Sequence, residues 1–284
     1  MSYLKVSDPH TDIRLELYYE DWGKGEPVVL IHGWPLSHEM WEYQVNDLVN
    51  AGFRVIAYDR RGFGKSSKPF DGYDYNTLAS DLRALLEGLD LQNATLVGFS
   101  MGGGEVVRYF SLYDGERVSK AVLIGSVTPF MLKTGNNPAG LEESIFAEML
   151  NNIKEDRIAF LDGFGKMFFG VNLIKKPVST PLLEYYRMLG SQASPRATLE
   201  CARAFAFTDF RDDMRSVNVP TLIIHGDADK NVPIEATGDE SARMILKSAY
   251  IRYPDAPHGL FYTHKEQLNK DLIQFIREPI VAVV

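Results

Sequence analysis

Short runs of apolar residues, many of them β-branched, recur along the chain, and each run is bounded by Gly, Pro, Asp or Asn. The runs are hydrophobic almost throughout and do not alternate with polar residues. Continuous hydrophobicity of this kind is typical of strands that are buried on both faces of a parallel sheet. The pattern therefore predicts central strands at residues 27–31, 54–58, 94–97, 121–124 and 220–224.

Between these runs the apolar residues take helical spacing. In residues 76–91, leucines form one apolar stripe and charged residues occupy positions between them. Strands that alternate with such helices predict βαβ crossovers and a doubly wound α/β fold with a mostly parallel sheet. Residues 15–19 alternate partly between apolar and polar, which favours an antiparallel hairpin at an edge of that sheet.

The rhythm of strands stops after Gly125. Residues 127–213 contain no run typical of a buried strand and are rich in aromatic residues and methionine. Glycines and prolines interrupt this stretch and predict short helices broken at Gly135, Pro138, Gly163, Gly165, Pro177 and Pro181. We therefore expect a helical cap at residues 127–213, inserted into an α/β core made of residues 1–126 and 214–284.

Composition and charge narrow the class of protein. The 284 residues are 45% hydrophobic and 24% charged with a formal net charge of −8, which is typical of a globular protein and unlike a basic nucleic-acid binder. The single cysteine, Cys201, excludes an intramolecular disulfide and a multi-cysteine zinc site. The N-terminus lacks the apolar core of a signal peptide, and no segment approaches ~20 apolar residues. We therefore expect a cytoplasmic protein with neither membrane nor nucleic-acid partners.

One serine lies in the sequence context of a nucleophile. Gly98-Phe-Ser-Met-Gly102 follows the predicted strand at 94–97 and precedes a stretch compatible with a helix. Such a strand, sharp turn and helix exposes the serine Oγ on a strained turn, and the flanking glycines remove Cβ atoms where strand and helix approach each other. The pattern alone is weak, because it arises by chance in roughly one chain in ten of this length. The assignment of Ser100 therefore depends on its partners.

A serine nucleophile requires a histidine base and a carboxylate that orients it, and in this fold the acid and then the histidine follow the serine. Asp227 and Asp229 come shortly after the predicted strand at 220–224. We favour Asp229, because Asp227 is so close to the strand end that a turn-stabilising contact explains it. His258 lies downstream of both acids. The other histidines lie in polar segments or at strand ends: His10, His32, His38, His225 and His264.

Acyl transfer also needs N–H donors for the oxyanion that develops on the substrate carbonyl. Met101 supplies the first backbone N–H, and Trp34, in the loop after the predicted strand at 27–31, supplies the second. The neighbouring Gly33 and Pro35 belong to the same loop and to the substrate pocket, and Pro35 favours an extended conformation of Trp34. Trp34 and aromatic residues of the cap predict a mostly apolar pocket.

The order of these residues decides between two domains and one core with an insertion. Ser100 lies before residues 127–213, whereas Asp229 and His258 lie after them. Because the three side chains have to converge, both flanking segments must belong to one sheet, with the cap over its active-site edge. Cys201 falls inside the cap, away from the triad, and is expected to be a small buried side chain.

Five motifs together resemble the bacterial cofactor-free haloperoxidases and related aryl esterases of the α/β-hydrolase fold. They are His-Gly-Trp-Pro at 32–35, Asp-Arg-Arg-Gly-Phe-Gly-Lys-Ser at 59–66, Gly-Phe-Ser-Met-Gly-Gly-Gly-Glu-Val at 98–106, His-Gly-Asp-Ala-Asp at 225–229 and Asp-Ala-Pro-His-Gly at 255–259. The resemblance extends over nearly the whole chain. It assigns the triad to Ser100, Asp229 and His258, and the oxyanion amides to Trp34 and Met101.

The resemblance implies a serine esterase for small acyl or aryl esters that also converts carboxylic acids to peracids with hydrogen peroxide. In that family the peracid oxidises halide to hypohalite without haem, vanadate or metal, so no cofactor and no metal are expected. Pro35 is similar to the proline found after the oxyanion-loop aromatic residue in members with peroxidase activity. The resemblance also implies a homo-oligomer. The apolar tail at residues 280–284 is either a docking segment or a frayed end.

Other functions stay open at this point. A lactonase or a hydrolase of cyclic amides would use the same triad, and sequence does not separate these substrates from open-chain esters. Ser100 disfavours a dehalogenase or epoxide hydrolase with an aspartate nucleophile, and the complete set of catalytic residues disfavours a non-catalytic receptor for small molecules. The glycine-rich residues 60–64 lack the spacing of a phosphate-binding loop, and Asp59 and Arg60 are expected to tie loops together.

Overall fold

A sheet of eight strands forms the centre of the molecule in the computed structural model, which describes residues 2–7 and 14–278. The strands are β1 Ser2–Ser7, β2 Arg14–Gly23, β3 Pro27–Ile31, β4 Arg54–Tyr58, β5 Ala94–Phe99, β6 Val118–Ile124, β7 Thr221–Gly226 and β8 Ser248–Tyr253. Their spatial order is β1-β2-β4-β3-β5-β6-β7-β8. Strand β2 pairs antiparallel with β1 and β4, and the remaining pairs are parallel. The prediction of a mostly parallel, doubly wound sheet is confirmed.

The central strands are buried on both faces. Val29 and Ile31 of β3 belong to one large apolar cluster, whereas Val28 and Leu30 belong to a second cluster on the opposite face. Because successive side chains of a strand point to opposite faces, a strand covered on both sides needs a continuous hydrophobic run. For this reason β3 and β4 have the predicted bounds, and the other central strands differ from prediction only at their ends.

The edges of the sheet carry weaker sequence signals. The predicted hairpin at 15–19 lies in β2, which pairs with neighbours on both sides, while β1 takes the edge position. Strand β8 forms the opposite edge, and only its last residue, Tyr253, is fully buried. Neither β1 nor β8 has the continuous hydrophobicity of the central strands, so the pattern did not predict them.

Helices cover both faces of the sheet. In chain order they are α1 Glu42–Asn50, α2 Tyr75–Gly88, α3 Met101–Tyr113, α4 Glu143–Phe168, α5 Thr180–Ser191, α6 Pro195–Phe207, α7 Arg211–Met214, α8 Gly238–Met244, α9 Leu260–Thr263 and α10 Lys265–Arg277, with a 3₁₀ helix at His38–Trp41. Helix α2 begins where the Asp74 side chain accepts the backbone N–H groups of Asn76 and Thr77, both at 3.0 Å. Within residues 2–7 and 14–278, no helix is long and apolar enough to cross a membrane.

Helices α4 to α7 lie between β6 and β7, in the segment predicted as a cap. The prediction that Gly163 and Gly165 break helices there is wrong, because both lie inside α4, which runs for 26 residues. A helical glycine costs only about 1 kcal/mol relative to alanine, and the packing of this helix against the core outweighs that cost. The interruption falls instead at Asp156, which has non-helical backbone angles and accepts the N–H groups of Ile158 and Ala159. Cys201 in α6 is buried, as predicted.

Candidate active site

Ser100 occupies the sharp turn between β5 and α3. Its backbone angles, φ 53° and ψ −118°, are rare for a residue with a side chain, and the surrounding structure has to hold them. The flanking glycines make the turn possible. A Cβ on Gly98 would lie 2.5 Å from the carbonyl oxygen of Gly102, and a Cβ on Gly102 would lie 2.6 Å from that of Ile31. Strand and helix therefore approach each other too closely for any larger residue.

The structure brings together the three side chains predicted as a triad. Asp229 follows β7 and His258 follows β8, so both reach the carboxyl edge of the sheet where Ser100 lies. His258 Nε2 is 2.9 Å from Ser100 Oγ, and His258 Nδ1 is 2.6 Å from Asp229 Oδ2. Because an ionised carboxylate only accepts hydrogen bonds, Nδ1 carries the proton of this contact and Nε2 is left to accept from the serine.

The imidazole of His258 is also held by aromatic rings. The ring of Phe99, the last residue of β5, lies 4.9 Å away between centroids, and the ring of Phe168, the last residue of α4, packs edge-on at the same distance. One ring comes from the core and the other from the inserted segment. The packing therefore restricts the rotation of His258 about its side-chain bonds.

Asp229 is buried and fully engaged. Its Oδ1 accepts the backbone N–H groups of Asn231 and Val232, both at 2.9 Å, while Oδ2 faces His258 and lies 3.4 Å from His225 Nε2. Burial acts to raise the pKa of this carboxyl. Electrostatic attraction to His258 and the hydrogen bonds of the two histidines lower the pKa by a larger amount. The pKa of Asp229 therefore lies well below its ordinary value, and the group is ionised at neutral pH.

Asp227, the alternative acid, points elsewhere. Its Oδ1 accepts the backbone N–H of Asp255 at 2.7 Å, which ties the loop after β7 to the loop after β8. The sequence suggested a contact within its own turn, whereas the structure gives a contact between two loops. His225 lies near the end of β7, as its sequence position indicated, and anchors the following loop, since its Nε2 is 3.0 Å from the carbonyl oxygen of Val232.

Both predicted oxyanion amides belong to segments next to the serine: Met101 follows Ser100 in the chain, and a Cβ on Gly33, in the Trp34 loop, would lie 3.2 Å from Ser100 Cβ. Met101 is the first residue of α3, where a backbone N–H has no acceptor within the helix. In the described part of the chain, neither Met101 N nor Trp34 N donates to a protein acceptor. The Trp34 loop fits closely against β5, since a Cβ on Gly33 would lie 2.6 Å from a ring carbon of Phe99. The Trp34–Pro35 peptide bond is cis.

An apolar cavity of about 230 Å³ opens beside Ser100 and His258. Trp34 forms one wall and packs edge-on against Phe164 and Phe205, and its indole N–H donates to the carbonyl oxygen of Thr198 at 2.9 Å. Residues of the inserted segment form much of the remaining surface: Phe146, Met149, Phe160, Phe164, Met167 and Phe205. The predicted apolar pocket is thus present in the structure. Pro35 lines a separate, smaller cavity, and Gly33 lines neither of them.

Two polar residues of this cavity carry no recognisable sequence signal. Lys230 and Asn231 directly follow Asp229 and line the cavity together with Val232. The only signal in the sequence was their position in the loop that carries the acid, and no motif separated them from ordinary loop residues.

A network of buried charged side chains contacts the backbone of the Trp34 loop. The Arg60 guanidinium pairs with Glu105 and donates to the carbonyl oxygen of His32 at 2.8 Å, and Glu105 also accepts the hydroxyl of Tyr58 at 2.8 Å. Asp59 accepts the backbone N–H and the imidazole of His38. These contacts join the loops after β3 and β4, which is the role expected for Asp59 and Arg60. Among the described residues, no group of His, Cys, Asp or Glu is arranged to hold a metal ion.

Sequence comparison gives the family of the chain. A profile of the α/β-hydrolase fold matches residues 26–265. The chain is 40% identical to the bifunctional esterase/perhydrolase of Acinetobacter calcoaceticus over 280 residues, covering 98% of this chain and 100% of that protein. It is 40% identical to the non-haem chloroperoxidase of Streptomyces lividans over 264 residues, covering 92% of this chain and 96% of that protein.

Solved structures agree with the sequence relatives. The crystal structure of bromoperoxidase from Bacillus anthracis superposes with a TM-score of 0.93 and 48% sequence identity, covering 98% of this chain and 100% of that chain. The predicted fold class is therefore confirmed together with the predicted family resemblance. This chain belongs to the α/β-hydrolase fold family, within the group that contains non-haem haloperoxidases and esterase/perhydrolases.

Proposed function

We propose that this protein is a serine hydrolase of carboxylic esters, with Ser100 as nucleophile, His258 as general base and Asp229 as the residue that orients the base. The observation that carries the proposal is the unbroken chain of hydrogen bonds from Ser100 Oγ through His258 to Asp229, at 2.9 and 2.6 Å, beside an apolar cavity. The names of the relatives support the same chemistry.

The reaction begins with proton transfer from Ser100 to His258 Nε2 as Oγ attacks the acyl carbon. Asp229 keeps its hydrogen bond to Nδ1 and stabilises the imidazolium that forms. The backbone N–H groups of Trp34 and Met101 bind the oxyanion of the tetrahedral intermediate. His258 then gives its proton to the departing alcohol, which leaves an acyl-enzyme on Ser100. Attack by water, with His258 again as base, releases the carboxylic acid and restores the serine.

Hydrogen peroxide replaces water in a second activity of the same site. It attacks the acyl carbon, transfers a proton to His258, and leaves as the peracid when the bond to Ser100 Oγ breaks and Oγ takes up the proton. The acyl-enzyme arises from a carboxylic acid with loss of water, so the net reaction is acid plus peroxide to peracid plus water. The peracid oxidises halide to hypohalite and returns to the carboxylic acid. The esterase/perhydrolase relative and Pro35 after the oxyanion-loop aromatic support this activity.

The first test concerns the nucleophile. We expect Ser100→Ala to lower the hydrolysis of p-nitrophenyl acetate at least 10³-fold, because removal of a triad serine leaves only binding and oxyanion stabilisation. Circular dichroism and thermal unfolding serve as the control that the fold is intact. Turnover close to that of the wild type in this variant would remove the serine mechanism.

The second test concerns peroxide. We expect the wild type to form peracetic acid from acetate and hydrogen peroxide without added metal, measured by oxidation of bromide and trapping of the hypobromite. Ser100→Ala should abolish the reaction, and treatment with EDTA should leave it unchanged. A rate that falls on chelation and recovers when metal is returned would contradict the cofactor-free mechanism.

One panel of substrates separates the remaining functions. Short-chain esters, lactones and lactams are assayed on the same preparation, and esters are expected to give the highest kcat/KM. A wild type that binds apolar ligands but turns over none of these substrates would favour the receptor function instead.

Self-association and a cytoplasmic location stay predictions. Leu173 and Ile174, on the loop between α4 and α5, expose almost their whole side chains, which favours a protein contact at this place. Light scattering coupled to size-exclusion chromatography is expected to give more than one copy per particle. The tail at residues 280–284 lies outside the described residues.

A further inference from the structure

His225 brings a second imidazole to the carboxylate of the triad. The residue is the last but one of β7, and its side chain is fully buried. Its Nε2 lies 3.0 Å from the carbonyl oxygen of Val232 and 3.4 Å from Asp229 Oδ2. A carbonyl oxygen only accepts hydrogen bonds, so the contact with Val232 requires a proton on Nε2. The N–H group of this nitrogen therefore belongs to the loop that carries the acid of the triad.

The other ring nitrogen of His225 has no partner. Nδ1 is buried, and no described residue forms a hydrogen bond with it. The first residue of α8 packs against it, because a Cβ on Gly238 would lie 2.8 Å from Nδ1. A proton on Nδ1 would be a buried donor without an acceptor, which is unfavourable. The surroundings of the ring therefore favour the tautomer with its proton on Nε2 alone.

Asp229 Oδ2 lies between two imidazoles. His258 Nδ1 is 2.6 Å from this oxygen on one side, and His225 Nε2 is 3.4 Å from it on the other. The second distance exceeds the roughly 2.7–3.2 Å of an ordinary N–H···O hydrogen bond, so this N–H acts on the oxygen through electrostatic attraction. Burial acts to raise the pKa of Asp229, and the contacts with both histidines lower it by a larger amount. The two imidazoles therefore share the charge of one carboxylate oxygen.

The two imidazoles have few other charged neighbours. In the described part of the chain, the other side chains that bond to or stack on the His258 ring are uncharged: Ser100, Phe99 and Phe168. Of the charged residues on the loop after β7, Asp227 accepts the backbone N–H of Asp255, and Lys230 exposes its side chain. The carboxylate between the two imidazoles is therefore the charged group through which one ring can act on the other.

An N–H group beside Oδ2 changes what the carboxylate does for the general base. When His258 takes the proton of Ser100, Asp229 stabilises the imidazolium that forms. A carboxylate whose charge is already shared with another donor attracts that imidazolium less strongly. His225 therefore limits the stabilisation of protonated His258. At a given acid pH, more of the enzyme keeps the unprotonated base that the reaction needs.

We propose that His225 is a positioning residue for the general base: its Nε2–H holds the Asp229 loop and weakens the attraction between Asp229 Oδ2 and protonated His258. This proposal rests on the proposed ester hydrolysis and adds a residue that governs how that reaction depends on pH. His225 is not one of the residues that line the cavity beside Ser100. It touches none of the reacting atoms, and it keeps its own proton throughout the reaction.

The test compares two substitutions of equal length. In His225→Gln the side-chain amide can bring an N–H donor to the position of Nε2, whereas the side chain in His225→Met has no donor. For both variants and the wild type, kcat/KM for p-nitrophenyl acetate is measured from about pH 4.5 to 8.5, because this profile reports the titrating groups of the free enzyme. Product is read at the isosbestic wavelength of p-nitrophenol. Circular dichroism and thermal unfolding show that each variant is folded.

We expect the midpoint of the acid limb to rise by about 0.3–1 pH unit in His225→Met, which corresponds to a roughly twofold to tenfold stronger hold on the proton of His258. The direction follows because Asp229 Oδ2 then attracts the imidazolium without competition, so His258 keeps its proton to higher pH. His225→Gln should return the midpoint towards the wild-type value. A purely structural role would lower the plateau of kcat/KM and leave the midpoint in place. An unchanged midpoint in folded His225→Met, or an equal rise in both variants, would overturn the proposal.

The wild type alone gives a second measurement, which needs no substitution at position 225. The ring nitrogens of His225 are assigned in ¹⁵N-labelled protein through the backbone resonances of the same residue. We expect their chemical shifts at neutral pH to show a proton on Nε2 and none on Nδ1. A proton on Nδ1 would show that the nitrogen beside Asp229 is not the donor, and it would overturn the proposal even if neither variant folds.

The two proposals fail in different ways. A wild type that hydrolyses no ester contradicts the proposed function itself. A wild type whose hydrolysis depends on Ser100, with the same acid midpoint in His225→Met, contradicts only the role of His225.

Discussion

Contacts to the carbonyl oxygen of Gly33 fix the orientation of the peptide group between Gly33 and Trp34. The carbonyl oxygen of Gly33 lies 2.9 Å from His32 Nδ1 and 3.0 Å from the backbone N of Leu36. Because the C=O and N–H of a trans peptide point in opposite directions, these two contacts also fix the direction of the Trp34 N–H. Burial above all, and then the charge of Arg60, lower the pKa of His32 to about 3. The imidazole is therefore neutral, and Nδ1 keeps the proton for Gly33 while Nε2 accepts from Arg60 N.

Removal of these contacts should act on the transition state more than on binding. We expect His32→Phe to lower kcat by roughly tenfold to a hundredfold, somewhat less than the loss of a complete oxyanion donor, with KM for p-nitrophenyl acetate changed less than threefold. His264→Phe, which removes a half-buried imidazole at the start of α10, is the matched control and should keep kcat. A proportional rise in KM with constant kcat would show that His32 does not position the oxyanion amide.

At the scale of elements, identical glycines have opposite roles in two helices. Gly102 in α3 has no room for a Cβ, because the carbonyl oxygen of Ile31 would lie 2.6 Å from it. Gly163 in α4 has no atom within 4 Å of the corresponding position. The first glycine is required by the close approach of strand and helix, and the second only weakens its helix.

The same substitution should therefore change stability in opposite directions. We expect Gly163→Ala to raise the free energy of unfolding by about 0.4–1 kcal/mol, and Gly102→Ala to lower it by about 1–3 kcal/mol through overpacking. Urea denaturation of the two variants and the wild type measures both effects. Gly102→Ala should also lose esterase activity, whereas Gly163→Ala should keep it. Equal destabilisation by both substitutions would contradict the distinction.

These glycines also show which elements a sequence pattern can predict. The elbow at Ser100 was predicted because its glycines lie in a fixed motif between a strand and a helix. Gly163 gave the same local signal as a helix breaker, and only the packing of α4 on the core determines that the helix continues. Edge strands such as β8 were missed for a related reason, since partial burial leaves no continuous hydrophobic run.

At the scale of the whole molecule, sequence predicts those site residues that belong to a local motif or that must follow one another in a fixed order along the chain. Ser100, Asp229 and His258 were found because a triad imposes that order along the chain, and their side chains converge in the structure. Asn231 has no such order. Asn231 can be identified as a residue of the site only from the cavity that it lines. That cavity forms only when residues of the inserted segment pack beside the carboxyl edge of the sheet.

The same edge collects carboxylates whose pKa the fold lowers. Asp59 after β4 accepts the backbone N–H of His38 at 2.8 Å and its imidazole at 2.7 Å, and Asp229 accepts from His258. For both carboxyls burial acts to raise the pKa, but hydrogen bonds and the nearby imidazoles outweigh it. The pKa of Glu105 shifts in the opposite direction, because burial raises it by more than the charge of Arg60 lowers it. Each of these groups joins segments that are far apart in sequence.

Protonation of these carboxyls at acid pH should therefore lower the free energy of unfolding. A carboxyl with a lowered folded-state pKa contributes stability that is fully present above its unfolded pKa of about 4 and is lost as pH falls towards the folded pKa. In that range Asp229 contributes a slope of up to about 1.4 kcal/mol per pH unit. Glu105, whose pKa is raised from 4.5, changes stability only above that range. Asp229→Asn removes the Asp229 titration and leaves that of Asp59, which has the same direction, in place. We expect urea unfolding between pH 5 and pH 2 to give a shallower slope for Asp229→Asn than for the wild type, by about that amount, whatever the stability of the variant at pH 7. Parallel curves for the two proteins would mean that the fold does not lower the pKa of Asp229.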